Sequence, residues 1–207
     1  MAVICRAVSQ GLGEVLGQQL VVENRVGAAG LIGTEFVVKS PADGYTLLFG
    51  FSGPLAIVPN LNPNTPYDVQ RDLVAISQVA EAQYVLLVHP SVPVKTLNEL
   101  IALAKSRPGK MNFGSGGVGV GIHMASELFK FSAGVNIAHV PYKGAAPAMT
   151  ALMSGEVDMM FNGLPPALPH IKSGRVRALA VGGEKRSPAV APLPTVNDAS
   201  GLAFSIG

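Results

Sequence analysis

The residues whose types and spacing suit chemistry lie between Gly114 and His123. There Gly114-Ser115-Gly116-Gly117-Val118-Gly119 joins an apolar stretch ending at Phe113 to a helix that runs on through Ala125, Leu128 and Phe129. A helix start leaves backbone N–H groups unpaired, and its dipole adds positive potential; with few Cβ atoms to hold a ligand off, such a junction suits an anion. His123 falls in the first helical turn, where it either donates to a bound anion or packs over the loop. Gly50-Phe51-Ser52-Gly53-Pro54 is a second glycine-bearing loop after a strand-like run, and Pro141-Tyr142-Lys143-Gly144 and Asn162-Gly163 follow two more. The chemistry they share is capture of negative charge by main-chain donors.

Two catalytic motifs compete with that reading. Residues 114–119 spell the dinucleotide fingerprint G-x-G-x-x-G between a strand and a helix. A Rossmann unit wants an acidic residue about twenty positions later, at the end of the next strand, for the ribose hydroxyl; His139 and Val140 stand there, and Glu127 lies inside the intervening helix. Gly50 to Pro54 is one residue short of the nucleophile elbow, with Pro54 in place of the last glycine, and nothing marks Asp158 and His170 as its acid and base. Ser52 therefore reads as a loop or ligand hydrogen-bond donor. His89, His139 and His170 read as structural, and Met149, Met153, Met159 and Met160 as core. Lys143 reads as solvated, or as a steering charge beside an anion.

These loops need a frame, and the periodicity of the chain supplies one. Ile4, Val8, Leu12, Val15 and Leu16 make a helical stripe ending near Gly17; a second helix runs through Ile32, Phe36 and Val37 and stops before Pro41. Leu20 to Val22, Tyr45 to Phe49, Leu73 to Val79 and Tyr84 to Val88 read as strands. Thr96-Leu97-Asn98-Glu99 is a capping box opening a helix that Pro108-Gly109 ends. Val135 to Val140, Val157 to Phe161 and Val176 to Val181 are further strands, with helices through Met149 and Leu152 and through Leu168 and Ile171 between them. Strands alternating with helices give an α/β fold with a mainly parallel sheet, whose ligands sit beyond the carboxyl ends of the strands.

Composition bounds the rest. The 207 residues, 48% hydrophobic and 14% charged, are globular in character, and a net charge of +2 with scattered Lys and Arg gives no nucleic-acid face. Cys5 is alone, so neither a disulfide nor a zinc set is expected. No cofactor is implied. No apolar run approaches a membrane span, and the start of the chain has no basic segment of a secretory signal.

The residues also carry a resemblance. Val21-Val22-Glu23-Asn24-Arg25, the glycines from Gly27 to Gly33 with Thr34-Glu35, Asp43-Gly44-Tyr45-Thr46-Leu47-Leu48, Pro66-Tyr67-Asp68, Val88-His89-Pro90-Ser91-Val92-Pro93, His139-Val140-Pro141-Tyr142-Lys143-Gly144, and Leu179-Ala180-Val181 with Lys185-Arg186-Ser187-Pro188 follow one family in order. The chain resembles the substrate-binding proteins of tripartite tricarboxylate transporters, the Bug-type receptors, over nearly its whole length. The resemblance implies a periplasmic-binding-protein-like receptor of two lobes, here 1–82 and 83–207, that closes on a small carboxylate and delivers it to membrane permease subunits. It implies ligand contacts at Ser52 and Gly53 in the first lobe and at Ser115, Gly116, Gly117, Gly119, His123, Tyr142, Lys143, Gly144 and Asn162 in the second.

Departures from the family pattern set further expectations. The chain starts after the family's first strand and its Pro/Gly-rich loop, and stops at Ile206-Gly207 where the family returns to the first lobe. The first lobe is expected to be incomplete and prone to self-association, and Asn162-Gly163 stands where many relatives carry an acidic residue or Ala and then Asn, with Pro166 where Ser is common. One exposed helix N-terminus contributes about 0.3–1 kcal/mol to holding an anion, whereas micromolar affinity needs about 8. Several loops have to converge, so weak carboxylate binding or none is expected of this chain alone. The competing classes are a nucleotide-dependent enzyme using the 114–119 loop and a structural fragment without a ligand.

Overall fold

The computed structural model describes residues 2–81 and 83–206. The chain divides into two compact units, residues 1–81 and 82–207.

In the first unit the expected helices form: α1 is Ala2–Leu16 and α2 is Leu31–Val38. A run of positive φ at Gly27, Ala28, Ala29 and Gly30 turns the chain into α2. Two short helices, α3 (Val58–Leu61) and α4 (Val69–Asp72), follow. Asp68 caps α4 by accepting from the Gln70 and Arg71 amides, and the buried Tyr67 donates its hydroxyl to the Pro54 carbonyl at 2.7 Å. The strands expected at Leu20–Val22, Tyr45–Phe49 and Leu73–Val79 carry no ladder among the described residues. A strand exists only through its partner's hydrogen bonds, and apolar alternation reports a face, not a partner. Val21, Tyr45, Val74 and Ile76 are accordingly at least 80% exposed.

The second unit is built on a five-stranded sheet in the order β3-β2-β4-β1-β5. Its strands are β1 Tyr84–Val88, β2 Asn112–Ser115, β3 Ala138–Pro141, β4 Met159–Gly163 and β5 Arg177–Val181. β2 runs parallel to β3 and β4, while β1 lies antiparallel between β4 and β5, so four strands share one direction. The sheet is mainly parallel, as the alternation of elements requires, with β1 reversed. Its near-continuous apolar run suits that central place, since Val85 to Val88 are fully buried on both faces.

Helices cover both faces. On one, α5 (Leu97–Ser106), α6 (Gly121–Ala133) and α9 (Val196–Ser200) pack over Leu86, Phe113, Met159 and Phe161. On the other, α7 (Ala145–Ser154) and α8 (Leu164–Lys172) pack over Val85, Leu87 and Met160. The capping box opens α5: Thr96 accepts from the Glu99 amide at 3.2 Å, and the Glu99 carboxylate accepts from the Thr96 amide.

Three strands start later than their apolar runs, for one reason. The Val135 amide donates to Lys130, that of Val157 to Ala151 and that of Val176 to His170, each a carbonyl of the preceding helix. Amides that close a helix C-terminus are not free for a ladder, so β3, β4 and β5 begin at Ala138, Met159 and Arg177 rather than at 135, 157 and 176.

Candidate functional site

The chain passes from β2 to β3 by way of α6 on one face and from β3 to β4 by way of α7 on the other. Neighbouring strands whose helices leave to opposite faces open a crevice at their carboxyl ends. In this sheet the crevice falls between β2 and β3, whose last residues, Ser115 and Pro141, are register partners. The Gly114–Gly121 loop and the Tyr142–Gly144 loop emerge there side by side. The Tyr142 amide donates to the Ser115 carbonyl at 2.9 Å and the Gly144 amide to the Gly116 carbonyl at 3.2 Å. A Cβ on Gly116 would stand 3.0 Å from the Ala145 nitrogen and from the Gly144 carbonyl carbon, so glycine is what lets the two backbones approach. Gly117 and Gly144 hold φ of 124° and 115°, conformations that glycine alone adopts without strain.

Two helices start at this crevice. No side chain caps α6, whose N-cap is Val120, or α7, whose N-cap is Gly144. The first-turn amides of Gly121, Ile122 and His123, and of Ala145 and Ala146, thus have no intrahelical acceptor, and both dipoles present their positive ends. The third start nearby differs. In α8 the Leu164 amide donates to the Gln83 carbonyl and Pro165 and Pro166 have no N–H, so that turn has little to give an anion.

The α6 loop is braced by side chains. Ser115 is fully buried; its Oγ accepts from the Gly117 amide at 3.2 Å, lies 3.1 Å from the Gly117 carbonyl and 2.6 Å from His139 Nε2. His123 accepts the Gly119 amide on Nδ1 at 3.3 Å, and its Nε2 stands 3.9 Å from Glu127 Oε1, which Lys130 holds at 2.8 Å. The two imidazoles lie 4.4 Å apart, centroid to centroid, and His139 stacks on Phe113 at 4.7 Å. Burial pushes both below the usual histidine range; for His123, Glu127 opposes this and Lys130 adds to it, and for His139 the neighbouring His123 lowers it further, with the same Glu127 and Lys130 contributions.

The expected site residues do not all converge through their side chains. Ser115, His123 and His139 project on the α6 face, whereas Tyr142 packs with the cluster under α7 and α8 and donates its hydroxyl to Glu156 at 2.7 Å. Burial and that bond raise the Tyr142 phenol to about 12. Asn162, 4% exposed, is in β4 one residue past Phe161 and so faces away from the α6 side; its Oδ1 accepts the Gly163 amide at 2.9 Å. Tyr142 reaches the crevice with its backbone, whereas Asn162 lies in β4, paired with Val85 of β1 and outside the β2–β3 crevice. Lys143 is exposed in the loop. Ser52, exposed, and Gly53, buried at the start of a π-helical turn, belong to the first unit.

Sequence reasoning missed His139 as part of this assembly. Its signal was there, since a polar residue inside an apolar strand two positions before the strand's end sits beside Phe113 once β2 and β3 pair in register. It also missed the reciprocal clamp in which the Asn112 amide donates to Asp158 Oδ2 at 2.8 Å and the Asp158 amide to Asn112 Oδ1 at 2.9 Å; no spacing rule links residues so far apart in sequence. An open hollow of about 450 Å³ lies along β5, at the sheet edge opposite β3. Its lining is mostly apolar, and the one guanidinium in it, that of Arg177, donates to the Val92 and Val94 carbonyls.

Known proteins match this chain in sequence and in fold. Residues 4–205 match the family described as tripartite tricarboxylate transporter family receptor. Protein BugT of Bordetella pertussis is 42% identical over 195 residues, 94% of this chain and 60% of BugT. Among solved structures, Rpa4515 of R. palustris with adipate superposes with a TM-score of 0.95 at 35% identity, covering 99% of this chain and 69% of that one. MatC of Rhodopseudomonas palustris with bound malate gives 0.91 at 28% identity, covering 99% and 70%. The chain spans about 60% of the length of BugT. The fold is α/β of the periplasmic-binding-protein type, and the chain belongs to the tripartite tricarboxylate transporter receptor family.

Proposed function

We propose that this chain serves as a solute-binding receptor, without catalysis, for a small carboxylate that it passes to the membrane permease subunits of a tripartite tricarboxylate-type transporter in the periplasm. The observation that carries the reading is the pair of uncapped helix starts, α6 and α7, meeting at one crevice beside a loop of glycines. Two dipole ends with main-chain donors match a carboxylate better than a phosphodiester chain, which would want a row of cations that this chain does not cluster. Two family neighbours are solved with adipate and malate.

In this reading the Ser115 to Gly119 loop and the Tyr142 to Gly144 backbone bound the anion, with Lys143 supplying long-range attraction. His123 acts by fixing Gly119, and Asn162 by setting the end of β4. The Ser115 hydroxyl is a brace rather than a nucleophile, because it is buried and bonded to the loop and to His139.

Isothermal calorimetry and thermal shift with adipate, malate, citrate, glutamate and NAD test the proposal. At most a weak stabilisation by one or more of the acids at high ligand concentration, absent with NAD, is expected, since a ligand of the native state raises apparent stability. Stabilisation by NAD alone would return the 114–119 loop to a nucleotide reading, and silence with every compound would favour a fragment that holds no ligand by itself.

A further inference from the structure

Ser115 Oγ has one proton and two acceptors within reach, the Gly117 carbonyl at 3.1 Å and His139 Nε2 at 2.6 Å. If the hydroxyl donates to the imidazole, the Gly117 carbonyl loses its donor. If instead Nε2 carries the ring proton, every contact is satisfied at once: Nε2–H donates to Oγ, Oγ–H donates to the Gly117 carbonyl, and the Gly117 amide donates back to Oγ. Burial of Ser115 makes the fully bonded arrangement the favoured one.

We propose that His139 is a positioning residue for the carboxylate loop, a neutral imidazole whose Nε2–H holds Ser115 and, through it, Gly117. The inference rests on the reading of the Gly114–Gly121 loop as the anion site. His139 reaches the loop from the neighbouring strand, so it couples the two sides of the crevice: when β3 carries the Tyr142–Gly144 backbone to its place, the same strand sets the loop after β2. The groups around it are Ser115 and Phe113 from β2 and His123, Glu127 and Lys130 from α6. The two imidazoles answer acid differently. A proton added to His139 enters at Nδ1 and leaves the bond to Ser115 intact, whereas a proton added to His123 enters at Nδ1, the atom that accepts the Gly119 amide, and breaks the bond there.

His139→Gln places an amide donor at about the reach of Nε2, and His139→Leu fills similar space without one. Long-range ¹⁵N NMR of the histidines should find Nε2 protonated and Nδ1 bare in His139. Leu should weaken malate or adipate binding about tenfold, with Gln within about threefold of the parent, at equal melting temperature for the two variants. An Nδ1–H tautomer, or equal affinity of the Leu variant and the parent, would overturn the proposal. Should the parent bind no dicarboxylate, the receptor reading fails separately, and Gly117 amide exchange decides this one: faster in Leu and parent-like in Gln supports it, unchanged in both refutes it. If the Leu variant does not fold, the tautomer and the Gly117 exchange of the Gln variant decide in its place: an Nε2–H tautomer with parent-like exchange supports the proposal, and an Nδ1–H tautomer refutes it.

Discussion

Replacing Gly116 by alanine tests whether the two loops touch as described. Gly116 has no left-handed φ, so alanine meets no backbone strain of its own. Its Cβ, however, would lie 3.0 Å from the Ala145 nitrogen and from the Gly144 carbonyl carbon and 3.3 Å from Gly144 Cα, where an ordinary contact is 3.4–4 Å. The obstacle is backbone, held by the Gly144 and Tyr142 amides at 3.2 and 2.9 Å and continuous with the first turn of α7. It yields only if those bonds stretch or the helix shifts. Overpacking by a methyl group costs about 1–3 kcal/mol; taking about 2, a unit of this size should melt roughly 6–12 °C lower. Gly134→Ala is the control: φ is +60° with open space around the Cβ, so only the left-handed penalty of about 1 kcal/mol applies. Urea denaturation followed by circular dichroism suits a chain without tryptophan. If Gly116→Ala costs no more than Gly134→Ala, the crevice is not packed as inferred.

Other outcomes follow from the same geometry. Because the folded state holds His123 and His139 below the usual histidine range, the unfolded chain binds more protons as pH drops. The histidine contribution should be whole above about pH 6.5 and decline below it towards the folded values; melting temperatures from pH 8 to 5 should fall, and fall less in a His123→Leu, His139→Gln double variant. Tyr142→Phe removes the hydroxyl bond to Glu156 but keeps the backbone bond to Ser115, so carboxylate affinity by calorimetry should stay within about twofold; a larger loss would mean that the phenol reaches the ligand. Thr96→Ala deletes one half of the α5 capping box and should lower stability by about 1 kcal/mol in urea, with no loss showing that the cap is idle.

Much of the second unit could be read from local rules. The capping box of α5 and the unbroken apolar run of β1 are each fixed by a few neighbouring residues, and they stand where the sequence placed them. The junction at Gly114 to His123 was legible for the same reason, since a glycine loop entering a helix is a local event. In the first unit Leu20–Val22, Tyr45–Phe49 and Leu73–Val79 look like strands in sequence, but their existence depends on partners that no local pattern encodes.

What the sequence determined by itself, then, is a local inventory of glycine loops, helix starts and few charges, the pattern on which the proposal of anion capture by amides rests. Only the tertiary structure decided who stands beside whom. The reversal of crossover direction after β3 put α6 and α7 on opposite faces, so two dipole ends meet between β2 and β3. Strand register brought His139 onto Ser115, and side-chain alternation turned Tyr142 and Asn162 to the other face. Helix caps follow from contacts within a few residues; pairing, register and facing depend on which distant segments bury their apolar surfaces together, and that is settled by the whole core at once.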